Sequence, residues 1–267
     1  MTDPNLIRQI EELSMNAFPP LHSIHDDGWV MQIGSGYPRR VNAVYPLYAG
    51  SKTLEEKIGN CEALYRAQGL PTIFKLTKAS IPATLDQSLT EKGYSTDAHT
   101  AVQVLALGGW SGHTDAADVA LPAPALHQTQ DGVPQVQVSE TLTEAWLTAL
   151  GRMRESGHEH HAIHAQILRR ILPERRFASI SMDGQIVACG LGVLQNGYIG
   201  FYDISTDATV RRQGHSLWIM ETLMIWGKSK GATHGYLQVM LNNPPALALY
   251  AKLGFKEAYQ YWYRARQ

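Results

Sequence analysis

The sequence predicts an α/β (α+β) protein of two similar halves, each a mixed, mostly antiparallel sheet flanked by helices. Three observations carry this. Runs with the two-residue period of strands alternate with runs of helical period. Asp183-Gly184 and Asn196-Gly197 each separate two strand-like runs, and both pairs favour the positive φ of a tight hairpin. The order helix, glycine, strand, proline-started helix, Gly-aromatic pair, strand also occurs twice. Gly231 follows Gly69 by 162 residues, and Gly254 follows Gly93 by 161.

In the N-terminal half, 6–15 predicts a helix. The runs 29–33 and 41–47 predict strands, with Gly34, Gly36 and Pro38 between them. Residues 54–67 predict a helix closed by Gly69, 72–76 a strand, 85–91 a helix closed by Gly93-Tyr94, and 102–107 a strand. The stretch 108–134 is rich in Gly, Ala, Pro, Thr and Asp without periodicity. The expected organisation is therefore a domain over 1–107, a linker over 108–133 and a second domain over 134–267.

In the C-terminal half, 135–138 predicts a short strand, and Ser139 is placed to cap a helix over 141–153. A second helix is expected over 158–172, stopped by Pro173. The runs 177–182, 185–195 and 198–206 form an antiparallel meander. The helix 217–228 presents Leu217, Met220 and Met224 on one face, and Gly231 suits its C-terminal turn. Tyr236 to Met240 is a strand. Asn243 caps a helix that begins with Pro244 and Pro245 and ends at Leu253-Gly254, and 255–264 returns as an aromatic-rich strand.

Net charge is −1 over 267 residues, from 23 basic and 24 acidic side chains. Without a basic block, nucleic acid and anionic membrane are not indicated as partners. No apolar run approaches the roughly 20 residues that span a bilayer, and the first ten residues lack a signal peptide's build. Cys61 and Cys189 make no metal or disulfide framework, so a cytoplasmic setting is expected, with Cys189 a buried small side chain.

One segment carries chemistry most clearly. Val210-Arg211-Arg212-Gln213-Gly214-His215-Ser216-Leu217 joins a strand to a helix. The first N–H groups of a helix lack internal partners and sit at the positive end of its dipole, so an anion can take both. Gly214 lets the backbone approach closely.

Together with what flanks it, this half resembles the GNAT superfamily of acetyl-CoA-dependent N-acyltransferases. The family's Arg/Gln-x-x-Gly-x-Gly/Ala loop is met by Arg211, Gly214 and Ser216. The strand before it ends Ile204-Ser205-Thr206. The strand after the helix, Tyr236-Leu237-Gln238-Val239, is followed by Asn243 and by Ala246-Leu247-Ala248-Leu249-Tyr250-Ala251-Lys252-Leu253-Gly254-Phe255. Ser216 departs from the usual Gly or Ala but is small. The N-terminal half resembles a degraded second copy. At the loop's place it has Tyr48-Ala49-Gly50-Ser51-Lys52-Thr53, and no cofactor is expected there.

The resemblance implies an N-acetyltransferase moving an acetyl group from acetyl-CoA to a primary amine, of a small molecule or a peptide or protein, by direct attack in a ternary complex. It implies cofactor contacts from Ile204, Ser205, Thr206, Arg211, Arg212, Gln213, Gly214, His215, Ser216, Asn243 and Tyr250. A backbone N–H near Ile204 would stabilise the oxyanion, and Tyr250 would protonate the leaving thiolate. The base is open. Asp203, opposite Ile204 by alternation, could act through a water, and His158, Glu159, His160, His161 and His164 form a second pool. His160 and His164 have metal-compatible spacing, but the second histidine of HExxH is replaced by Ala162, so no metal is expected. Arg39-Arg40, Arg169-Arg170 and Arg175-Arg176 are expected on solvated faces, and Trp29, Tyr37 and Tyr45 in the core or along a cleft. A monomer or homodimer fits. The alternative is a non-catalytic acyl-CoA-binding or regulatory module.

Overall fold

The computed structural model describes residues 3–112, 135–155 and 157–266. Residues 113–133 of the expected linker, and the side chain of His158, lie outside what is described.

The N-terminal elements are α1 (Pro4–Ala17), β1 (His22–Asp26), β2 (Trp29–Ile33), β3 (Val44–Pro46), α2 (Leu54–Ala67), β4 (Thr72–Thr77), α3 (Leu85–Glu91) and β5 (Ser95–Ala106). The C-terminal ones are β6 (Gln137–Ser139), α4 (Glu144–Met153), α5 (His158–Arg169), β7 (Glu174–Met182), β8 (Gln185–Gln195), β9 (Tyr198–Thr206), α6 (His215–Ser229), β10 (His234–Met240), α7 (Pro244–Lys252) and β11 (Lys256–Arg266).

The helix starts have local causes. The Asp3 side chain accepts the Asn5 N–H at 2.9 Å and proline follows at the first helical position, so α1 begins earlier than its apolar pattern suggests. Thr53 and Glu56 close a reciprocal capping box on α2. Thr143, not Ser139, caps α4 through the Trp146 N–H at 3.2 Å. Ser139 instead folds onto Thr141, accepting its N–H at 3.0 Å. The strand expected over 41–47 is also interrupted. The Asn42 amide accepts the N–H groups of Gly34 and Gly36, both at 2.8 Å, and donates to Pro38 O. That ties Arg39–Val41 into a tight helical turn and leaves only Val44–Pro46 to pair.

All these strands join one sheet, in the order β1-β2-β3-β4-β11-β5-β10-β9-β8-β7-β6. The expectation of a separate sheet in each half is thus corrected. β4 pairs with β11, from Tyr261↔Thr77 to Arg266↔Thr72, and β10 pairs with β5, from Met240↔Thr100 to His234↔Ala106. The last strand of each half lies beside the penultimate strand of the other. The two exchanged strands also pair with each other, which fuses the sheet at its centre.

The faces are covered differently. α1, α4 and α5 pack on one side over Phe177, Leu191, Tyr202 and Tyr236. α6 and α7 cover Ala188, Ile199, Phe201 and Leu237 on the other. In the N-terminal half, α2 and α3 bury Trp29, Phe74, Leu76 and Tyr94. α6 comes close because β8 presents Gly190, where an added Cβ would lie 2.5 Å from Ile219. At the junction of the halves, Lys75 and Glu11 form an ion pair at 2.6 Å with 1% of either side chain exposed, and the Tyr259 hydroxyl donates to the same carboxylate. Cys189 is buried, as expected.

Candidate active site

The site starts where β9 leaves β10. The two pair in parallel from Tyr198 to Phe201, and the pairing ends at Leu237↔Phe201. Both continue, β9 to Thr206 along β8 and β10 to Met240 along β5. Between 202–206 and 238–240 the sheet is open. A bulge accompanies the parting, as the register with β8 shifts between Cys189 and Leu191 and Asp203 takes φ +55°. Asp203 faces α4 and α5, while Ile204 faces α6, its Cδ1 only 2.6 Å from where a Gly190 Cβ would stand. Ser205 pairs with Cys189. The Thr206 and Ser216 hydroxyls hydrogen-bond at 2.7 Å, tying the strand's end to the start of α6.

The loop from β9 to α6 makes a short helical turn, Ala208–Val210, then passes through Arg212 (φ +65°) and Gly214 (φ +86°). Gly214 is the N-cap of α6 and brings no side-chain cap, so the first N–H groups of the helix stay open to an outside acceptor. Arg211, Arg212 and Gln213 are exposed at its mouth. His215 is buried against Trp218, with rings 5.6 Å apart; burial lowers the pKa of its imidazole, and neither ring nitrogen has a partner among the described residues.

At the α7 end, Asn243 caps the helix through the Ala246 N–H at 3.3 Å. Tyr250 is buried with its ring edge-on to Phe255, and burial pushes its phenol up to about 12, against the opposing charge of Arg154. That arginine closes α4, acts on Tyr250 through its charge, and pairs directly with Asp203.

Asp203 is the electrostatic centre. Its Oδ1 pairs with Arg154 at 2.8 Å, and its Oδ2 hydrogen-bonds His164 Nε2 at 2.8 Å. Burial opposes ionisation, but the charges of Arg154 and His164, the His164 hydrogen bond and the more distant Arg40 outweigh it and hold the carboxyl well below the usual range. Arg40 is therefore not on a solvated face: its guanidinium stacks over Phe18 at 4.7 Å and Tyr202 at 5.9 Å. Arg176 is likewise drawn in, over Trp226 at 5.0 Å. Nothing local in the sequence marked Arg154. It reaches the site because α4 ends beside the bulge of β9.

A small pocket opens beside this cluster, lined by Tyr37, Leu147, Leu150, Arg154, His161 and His164. Tyr37 comes from the N-terminal half and stacks on His160 at 4.1 Å. Trp29 and Tyr45 are buried in the core. His160 and His164 thus point to different partners, and no group of three or more metal-ligating side chains occurs among the described residues. None of their helices is long and apolar enough to cross a membrane.

The turn at 48–53 of the N-terminal half is built differently. There the Asp27 carboxylate accepts the N–H groups of Ser51 at 2.7 Å and Lys52 at 3.0 Å, and an added Cβ on Gly50 would lie 2.0 Å from it. Those two backbone hydrogen bonds come first among the causes holding its carboxyl well below the usual range.

Comparison with known proteins agrees with this geometry. The Bacillus subtilis protein YobR, described as an uncharacterized N-acetyltransferase, is 24% identical over 265 residues, covering 98% of this chain and 99% of its own. A GCN5-related N-acetyltransferase from Kribbella flavida superposes with a TM-score of 0.65 at 14% identity, over 97% of this chain and 94% of that one. A tandem GNAT protein from the clavulanic acid biosynthesis pathway gives 0.57 at 12% identity, over 97% and 87%. Residues 5–264 match the family described as "Probable histone acetyltransferase Rv0428c C-terminal". Matched over nearly its whole length, the chain belongs to that family, and it shares the fold of GCN5-related N-acetyltransferases.

Proposed function

We propose that the C-terminal half transfers an acetyl group from acetyl-CoA to a primary amine, of a small molecule or a peptide, by direct attack in a ternary complex. The observation that carries this is the opening between β9 and β10 past Phe201↔Leu237, which leads to the uncapped start of α6. The N–H groups at Gly214 to Ser216 would take the pyrophosphate, with Arg211 and Arg212 beside it and Gln213 and His215 completing the loop. The Ser216 hydroxyl is engaged with Thr206, so its contribution is backbone and small size. The freed N–H near Ile204 would stabilise the oxyanion, with Ser205 and Thr206 along the acyl arm. Tyr250 keeps its proton through neutral pH and would deliver it to the leaving sulfur, with Arg154 easing the charge left behind. Asn243 is a helix cap that a cofactor could share.

The N-terminal half, 1–107, is read as a degenerate copy that holds no cofactor. The glycines of the two expected repeats close their helices alike. Leu70 N donates to Tyr65 O as Ala232 N does to Gly227 O, and Tyr94 N to Leu89 O as Phe255 N does to Tyr250 O. By that correspondence Leu89 stands where Tyr250 stands. The Asp27 carboxylate occupies N–H groups that a phosphate would need.

Thiol release from acetyl-CoA with a panel of small amines and peptide N-termini tests the reading. Turnover with at least one amine, cut by Tyr250→Phe, is expected. Acetyl-CoA binding without turnover across the panel would instead favour a regulatory acyl-CoA-binding module.

A further inference from the structure

The cluster under the β9 bulge contains a proton acceptor that the cofactor's grip does not use. Asp203 Oδ2 lies 2.8 Å from His164 Nε2, and a carboxylate fully engaged with Arg154 on its other oxygen takes that bond as an acceptor. The imidazole then carries a proton on Nε2, and in its neutral form its lone pair lies on Nδ1. Nδ1 is buried and has no hydrogen-bond partner among the described residues. Buried polar atoms are nearly always paired, so an unpaired one needs an explanation, and a substrate's N–H supplies it. His164 also lines the pocket with Tyr37, Leu147 and Arg154, one hydrogen bond from the strand that would carry the acyl arm. The Phe18 ring, 5.5 Å away, packs against the imidazole.

Resting on the acetyl-transfer reading, we propose that His164 Nδ1 takes the proton from the attacking amine, that Asp203 and Arg154 are positioning residues, and that Tyr37 of the N-terminal half walls the acceptor pocket. Asp203 serves less well as the base itself. Both its oxygens are engaged, and a carboxylate held so firmly ionised is a weak proton acceptor.

The step balances. The amine lone pair forms the C–N bond to the acetyl carbonyl carbon, and the nitrogen's proton passes to His164. The C–S bond breaks with its electron pair on sulfur, which takes the Tyr250 proton. A proton returned from the imidazolium to the phenolate through solvent resets the site. Among the described residues, the charged or titratable groups around His164 are Asp203 from β9, Arg154 from the end of α4, His161 from its own helix, Tyr37 across the pocket, and Arg40 beyond the Phe18 ring.

Two measurements test this. Long-range ¹H–¹⁵N spectra of the intact wild-type chain should show His164 as the Nε2–H tautomer, and Asp203→Asn should disturb that signature; an Nδ1–H tautomer in the wild type would overturn the assignment. His164→Gln, assayed with the best amine of the panel, should lower kcat by about a hundredfold or more with acetyl-CoA affinity unchanged, and should remove the acid limb of the kcat/KM profile. A folded His164→Gln chain with kcat and pH profile like the wild type refutes the proposal while leaving acetyl transfer standing. If the wild type releases no thiol with any amine, both fall.

Discussion

Replacing Asp203 by Asn removes one charge and little else, so it isolates what the carboxylate does. The side chain is 2% exposed, whereas that of its partner Arg154 is 33% exposed. Breaking a fully buried pair from one side costs about 3–5 kcal/mol, while an exposed pair contributes about 0–1 kcal/mol. Arg154 is partly exposed and can regain water, so about 2–3 kcal/mol is expected at pH 7. At roughly 2–4 °C per kcal/mol for a chain of this size, Tm should fall by about 4–12 °C. The pH dependence has a definite sign. A carboxyl depressed in the folded state stabilises it above the unfolded-chain value of about 3.9, and that contribution is lost as pH falls below it. Asn has no such contribution to lose, so the gap between wild type and Asp203→Asn should narrow from pH 7 to pH 3. Urea unfolding followed by circular dichroism at both values reads this directly. A variant as stable as the wild type at pH 7, or a gap undiminished at pH 3, would refute the electrostatic argument.

Three further outcomes are expected. Gly214→Ala should destabilise the fold by about 1–2 kcal/mol through its left-handed φ alone, because the new Cβ meets Trp218 only at an ordinary 3.7 Å, and acetyl-CoA binding should weaken as well; isothermal titration with unchanged affinity would count against the cradle. Lys75→Met should cost about 3–5 kcal/mol by stranding the buried Glu11, and a Lys75→Met/Glu11→Leu double variant should recover much of it in thermal unfolding; a double variant worse than the single would show that the pair is not the cause. The difference between wild type and Tyr250→Phe in phenolate absorbance should titrate near 12, and a midpoint near 10 would mean that Tyr250 is solvated.

Legibility in the sequence followed the range of the physics. Helices α2 and α3 and strands β8 and β9 lie where capping, periodicity and the Asp-Gly and Asn-Gly turns place them, because those signals act within a few residues. β1 was missed because His22–Asp26 is a polar edge strand with no apolar alternation. The first part of β5 was missed for a related reason: Ser95 to Thr100 is mostly polar and is ordered by its pairing with β11. The strand exchange has no local signal, since nothing in β11 says whether β10 or β5 will lie beside it. In the site, the loop, Asn243 and Tyr250 were readable as a spaced pattern. His164 was visible only as one of a pool until Asp203 singled it out, and Arg154 and Asp27 act on groups far along the chain.

Backbone hydrogen–deuterium exchange on the intact chain, with and without acetyl-CoA, tests the central claim most directly. Protection should appear at 202–206 and 213–217, where strand and helix start are open, and should be absent at 48–53, where Asp27 already fills the turn. Protection at 48–53, or none at 213–217, would contradict a single acetyl-CoA site in the C-terminal half.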